Sequence, residues 1–130
     1  MAETKLETII RVTKELNALK AKHPRIIDIG VMSVEEFMDT VGKDLPKCAV
    51  KPLKPHKGGY AGYIRIRCSD ELKRKINCPS IWDYLFHDKA EDAIIGAVQV
   101  LHATCTVRKN HDEAKFLGEL SRELRIDRVA

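Results

Sequence analysis

The stretch that most constrains the fold is KAEDAIIGAVQVLHATC, residues 89–105. Its spacing of apolar residues predicts a helix, and between residues 93 and 103 only Gln99 and His102 are polar. A helix that is apolar on nearly every side must be covered on nearly every side. We therefore expect a buried helix near 88–103, enclosed either by the rest of the chain or by a second copy of it.

Small residues on this helix make the second copy a real alternative. Ala93, Gly96, Ala97 and Val100 allow another helix to approach closely. The sequence therefore predicts a homo-oligomer, such as a homodimer.

Length and composition indicate one globular domain over residues 1–130. The hydrophobic share of 44% and the charged share of 32% are typical of a folded protein, and the aromatic share of 5% predicts an aliphatic core. No apolar run is long enough to span a membrane, and the start MAETKLETIIRV does not resemble a signal peptide. We expect a cytoplasmic protein.

The four cysteines are widely spaced and have apolar neighbours, so we expect them to be reduced. The nearest approach to a metal-ligand spacing is His102 with Cys105, three residues apart on one helical face. Without a CxxC pair, the sequence favours no metal, and no cofactor motif is found.

The remaining pattern predicts an α+β fold, in which a small antiparallel sheet of about three or four strands packs against several helices. A capping box at Thr4 and Glu7 opens a long N-terminal helix that ends before Pro24. Further elements are predicted in chain order: a strand over 25–32, a short helix over 34–41, an extended basic arm over 43–55, a strand over 60–68, a short helix over 69–77, an edge strand over 104–108, and a final helix capped by Asn110 and Glu113.

Aromatic residues cluster just after Pro79. Ser80 and Asp83 predict the start of a helical turn, which places Trp82 and Phe86 one turn apart against the sheet. We expect this cluster to be core, with Trp82 as a surface for stacking a ligand as the alternative.

Positive charge is concentrated in one part of the chain. Residues 47–75 include nine basic and two acidic residues, a formal charge of +7, whereas the whole chain carries +4. Such a segment suggests a partner that bears phosphates or is otherwise polyanionic, and the alternative is a lysine-rich loop that is simply solvated.

Within this segment, residues 60–68 alternate with the period of a strand. Tyr63, Arg65 and Arg67 fall on one face, and the aliphatic residues fall on the other. An aromatic ring can stack on a base, and two arginines two positions apart can bind phosphates. The sequence predicts one core face and one ligand-binding face.

The stretch KGGYAGYI partly resembles the RNA-recognition-motif signature, which places stacking rings on a central strand. Two additional glycines separate Tyr60 from Tyr63 by three positions. The two rings therefore lie on opposite faces unless a bulge at Gly62 brings them together.

The leading hypothesis is a small basic protein that binds nucleic acid, RNA or DNA, with a preference for single strands. One alternative is an inhibitor or adaptor that docks its basic face on an acidic protein. The predicted binding residues are Lys51, Lys54, Lys57, Tyr63, Arg65, Arg67, Lys73, Arg74 and Lys75.

A further alternative is a protein that binds or cleaves a small phosphate ligand without metal, with His56 as acid or base. No nucleophile elbow, P-loop or zinc-protease motif is found, so the sequence favours a binding protein over an enzyme.

Overall fold

The computed structural model describes residues 3–40 and 58–129. Lys51, Lys54, His56 and Lys57, together with the whole predicted arm over 43–55, lie outside the described residues. The elements in chain order are α1 (Lys5–Lys22), β1 (Ile26–Ser33), α2 (Val34–Asp39), β2 (Tyr60–Arg67), α3 (Asp70–Ile76), β3 (Ser80–His87), α4 (Ala90–Val107) and α5 (His111–Val129).

The three described strands form one antiparallel sheet in the order β1-β2-β3. Together with a long N-terminal helix, this confirms the predicted α+β fold. None of the described helices is both long and apolar enough to cross a membrane.

Helix α1 begins as its sequence predicts. The Thr4 hydroxyl accepts a hydrogen bond from the Glu7 backbone N–H, and the Glu7 carboxylate accepts one from the Thr4 N–H, both at 3.1 Å. This reciprocal pair satisfies two of the free N–H groups at the helix start. Val12, Leu16 and Leu19 form the buried stripe of the helix.

Helix α4 is the centre of the core. It packs against β2 and β3 on one side and against α5 on the other, and α1 also contacts it. Gly62 on β2 allows the close approach, because a Cβ at this position would lie 2.4 Å from the backbone carbonyl of Ala93. The rest of the chain therefore accounts for the apolar surface of this helix, and homo-oligomerisation stays a prediction.

The two faces of the sheet differ in composition. Ile26, Ile29, Val31, Ile64 and Ile66 are buried in the cluster that also contains the helices. The opposite face, called here the aromatic face, holds Tyr63, Arg65, Arg67, Trp82, Tyr84 and Phe86.

The predicted helical turn at Ser80 is wrong, because residues 80–87 form strand β3 and pair with β2 along their whole length. The period of two explains the outcome. Trp82, Tyr84 and Phe86 share one face of a strand, whereas on a helix Tyr84 would lie on a different side from the other two. A separation of four residues brings Trp82 and Phe86 to one side in either structure, so this spacing does not discriminate.

The predicted edge strand over 104–108 is also wrong, because α4 continues to Val107. Thr104 and Thr106 are β-branched, yet each hydroxyl donates to the carbonyl oxygen four residues earlier, at 3.0 and 2.9 Å. Such back-bonding accommodates threonine within a helix.

The start of α5 differs from its predicted capping box. Asn110 does precede the helix, and its carbonyl oxygen accepts from the Ala114 N–H at 2.9 Å. The Glu113 carboxylate, however, contacts Arg25 and the Ser69 N–H instead.

Candidate functional site

The aromatic face is built from residues that lie directly opposite each other on β2 and β3. Tyr63 pairs with Tyr84, Arg65 with Trp82, and Arg67 with Ser80. Opposite residues in an antiparallel pair have Cβ atoms about 4.5–5.5 Å apart, so their side chains interact. The strand register therefore places a guanidinium group beside an indole ring.

A continuous layer of rings covers this face. Phe37 of α2 is fully buried, with its ring centroid 5.2 Å from that of Tyr84 and 5.6 Å from that of Phe86. The Trp82 and Tyr84 centroids are 6.0 Å apart. Helix α2 thus packs on the Phe86 end of the layer, whereas Trp82 lies at the other end, beside Arg65.

The two arginines of β2 are exposed. Arg65 Nε donates to Ser80 Oγ at 2.8 Å, which orients the guanidinium group and leaves its Nη groups for a ligand. Neither Arg65 nor Arg67 forms an ion pair with a carboxylate in the described part of the chain. The register places Asp28 of β1 opposite Arg65, so this guanidinium group lies between a carboxylate-bearing strand and the strand that carries Trp82. Guanidinium groups beside an aromatic ring suit an anion that also carries a planar group.

Tyr63 is partly buried, and Gly30 on β1 makes room for it: a Cβ at this glycine would lie 2.7 Å from Tyr63 Oη. Burial, reinforced by the nearby carboxylate of Asp28, raises the pKa of Tyr63 to about 12. Burial also raises the pKa of Tyr84. Both phenols are therefore neutral at physiological pH.

The regular pairing at Gly62, with Val31 on one side and Leu85 on the other, shows no bulge there. Tyr60 therefore lies on the helix face, where the Lys5 ammonium is 5.1 Å from its ring centroid. Of the two tyrosines in the stretch that resembles the RNA-recognition signature, only Tyr63 contributes to the aromatic face.

Charge is distributed unevenly along the strands. Glu35, Glu36 and Asp39 of α2 are exposed where β1 ends and β2 begins. At the opposite end of the strands, Arg67 is followed by α3, where Lys73, Arg74 and Lys75 are exposed.

The predicted binding residues thus fall into three groups. Tyr63, Arg65 and Arg67 lie together on the aromatic face, as expected. Lys73 to Lys75 lie at the end of the sheet, and Lys75 Nζ is directed to the carbonyl oxygen of Arg108, 3.5 Å away. Lys51, Lys54 and Lys57 lie outside the described residues.

Sequence reasoning missed Tyr84 and Phe86 as members of this face and gave Trp82 a binding role only as an alternative. Aromatic residues recur at every second position of SIWDYLFH, namely Trp82, Tyr84 and Phe86, and this period of two is the signal that identifies the strand.

The His102 and Cys105 pair offers little to a metal. Burial raises the pKa of the Cys105 thiol to about 11, which disfavours the thiolate that binds metals. Among the described residues, no three histidine, cysteine, aspartate or glutamate side chains come together as metal ligands.

No protein-family model matches the sequence. Neither the curated proteins nor the solved structures give a match to this chain. The structure itself shows an α+β fold whose sheet has one aliphatic core face and one face of rings and arginines.

Proposed function

We propose that this protein binds single-stranded nucleic acid on the aromatic face. The observation that carries the proposal is the cross-strand pairing of Arg65 with Trp82, next to that of Tyr63 with Tyr84. This arrangement supplies rings for bases and guanidinium groups for phosphates within two neighbouring strands.

Physical chemistry favours a single strand over a duplex here. Bases in a duplex are stacked on each other, so their faces are not accessible to a flat layer of rings, whereas an unpaired strand exposes them. Base stacking on an aromatic side chain contributes about 1–3 kcal/mol per base and tolerates different sequences. We therefore expect weak sequence preference and marked salt dependence.

The arginines have a separate role. Arg65 and Arg67 are two residues apart on β2, about 6.6 Å, and so can contact successive phosphates of an extended strand. Because Ser80 orients the Arg65 guanidinium group, less conformational entropy is lost when a phosphate binds.

Fluorescence anisotropy with labelled single-stranded RNA, single-stranded DNA and duplex DNA over a range of salt concentrations tests the proposal. Trp82 is the sole tryptophan of the chain, so its emission also reports directly on stacking. We expect single strands to bind best and Trp82→Ala to weaken binding by about 5- to 150-fold, the equivalent of one lost stack. Trp82→Phe should retain part of the affinity.

Arg65→Gln should also weaken binding, and Arg122→Gln, an exposed position on α5, is its matched control. If wild type binds no oligonucleotide near physiological salt, the proposal is wrong. Stabilisation by mononucleotides or capture of one acidic protein would then favour the alternatives of a small phosphate ligand or a protein partner. The predicted cytoplasmic location and homo-oligomer stay predictions beside this function.

A further inference from the structure

A second group of exposed cations lies beyond the aromatic face. Lys73, Arg74 and Lys75 belong to α3, and Arg108 and Lys109 form the turn between α4 and α5. Lys75 Nζ lies 3.5 Å from the Arg108 carbonyl oxygen, so the end of α3 lies beside this turn. These five residues are called the basic end.

A partly buried ion pair fixes the basic end next to Arg67. Arg25 donates from Nε to the Arg67 carbonyl oxygen at 3.0 Å and from Nη2 to Glu113 at 2.5 Å. The same Glu113 oxygen accepts from the Ser69 N–H at 2.7 Å. The end of β2, the start of α3 and the start of α5 are therefore held to one another.

The turn that carries Arg108 and Lys109 is itself well defined. The Asn110 N–H donates to the Cys105 carbonyl oxygen at 2.8 Å, and the Lys109 N–H donates to that of Thr106 at 3.1 Å. This is a Schellman motif, whose left-handed position usually holds glycine. Here Lys109 occupies it with a φ of 60°, a conformation in which glycine would be less strained.

From these contacts we propose that the phosphate chain of a bound single strand leaves the aromatic face at Arg67 and continues over the basic end. This inference rests on the proposed function and extends its ligand from a few stacked bases to a longer strand. The carboxylates of Glu35, Glu36 and Asp39 at the other end of the sheet repel phosphates. Helix α3 begins with the acidic Asp70 and Glu71 and ends with three cations, so the strand passes over the last turn of α3 and not over its first.

Binding of labelled single strands of about 4 and about 12 nucleotides tests this inference, since single-strand sites span about that range. We expect wild type to bind the longer strand more tightly. The double variant Arg108→Gln/Lys109→Gly should lose about fivefold to thirtyfold in affinity for the longer strand and nothing for the shorter one. For the longer strand, the slope of log affinity against log salt concentration should become shallower by roughly 1.4, about 0.7 for each lost phosphate contact.

Glycine is favoured at position 109 of this turn, so the double variant should fold normally, which circular dichroism checks. Arg122→Gln on α5 is again the control and should change neither affinity. The inference is overturned if wild type binds both lengths with equal affinity. It is also overturned if the double variant still binds the longer strand more tightly than the shorter one, to the same extent as wild type.

The two proposals fail in different ways. Binding of the short strand that is sensitive to Trp82→Ala, with no gain from length, overturns the inference alone. If wild type binds neither the short nor the long strand, both the proposed function and the further inference are overturned.

Discussion

Replacing Arg25 by methionine should strongly destabilise the fold. The Glu113 side chain is almost completely buried, and its carboxylate depends on the Arg25 guanidinium group and the Ser69 N–H. Removal of one partner of a buried ion pair leaves an uncompensated charge, which costs about 3–5 kcal/mol. We expect Arg25→Met to lower the free energy of unfolding by about that amount, because methionine keeps the apolar stem but not the charge.

The double variant Arg25→Met/Glu113→Gln separates this cause from general loss of packing. A neutral amide at position 113 can still accept from the Ser69 N–H and needs no counter-charge, so the double variant should be more stable than Arg25→Met alone. Urea unfolding followed by circular dichroism measures the free energy of unfolding of wild type, Arg25→Met and the double variant. Arg11→Met is the matched control, since Arg11 pairs with Glu3 and Glu91 on the surface and should change stability little.

Two results would refute the reasoning. One is an Arg25→Met cost no larger than that of Arg11→Met. The other is a double variant at least as destabilised as Arg25→Met alone, which would mean that lost packing, and not the buried charge of Glu113, causes the effect.

Three further predictions concern the sheet and the core. Gly62→Ala should destabilise by about 1–3 kcal/mol or more in urea unfolding, because the new methyl group meets the Ala93 backbone; an unchanged free energy would contradict this packing. The raised pKa of Tyr63, about 12 against an ordinary 10.0, means that folding favours the neutral phenol, so stability should fall as pH rises from 10 towards 12. Tyr63→Phe should reduce that fall and remove one late step from the phenolate absorbance titration. A thiol reagent should modify exposed Cys78 in the folded protein and Cys105 only after unfolding; rapid labelling at both sites would show that the core opens readily.

Much of the fold follows from local patterns in the sequence. The capping box of α1, the apolar surface of α4 and the alternation of β2 each predict one element, and the structure confirms all three. Each signal resides in one continuous segment, so no knowledge of the tertiary fold is needed to interpret it.

The errors lie where a local signal has two interpretations. Ser80 and Asp83 have the spacing of a helix start, but pairing with β2 provides residues 80–87 with sheet hydrogen bonds, and the ladder prevails. Thr104 to Thr106 have β-branched character, yet they continue a helix already fixed by packing against the sheet and α5.

Other features of the site depend on contacts between distant parts of the chain. Arg25 and Glu113 are 88 residues apart, and Lys75 is 33 residues from Arg108. Local periodicity in the sequence cannot predict contacts between residues so far apart in the chain. The sequence therefore predicts part of the aromatic face and the three cations of α3, Lys73 to Lys75, but it does not predict that Arg108 and Lys109 lie beside them.

The distribution of aromatic residues gives the clearest physical reason to assign function to the sheet. The cluster around α4 is mainly aliphatic, yet five of the seven aromatic residues of the chain lie on the opposite side of the sheet. Phe37 is fully buried there, but Trp82 and Tyr84 are only partly buried. Large rings stabilise a fold most when they are fully buried, so rings left partly exposed beside arginines forgo some of that stabilisation. A ligand with flat apolar surfaces and negative charge would complete their burial, and a single-stranded nucleic acid has both properties.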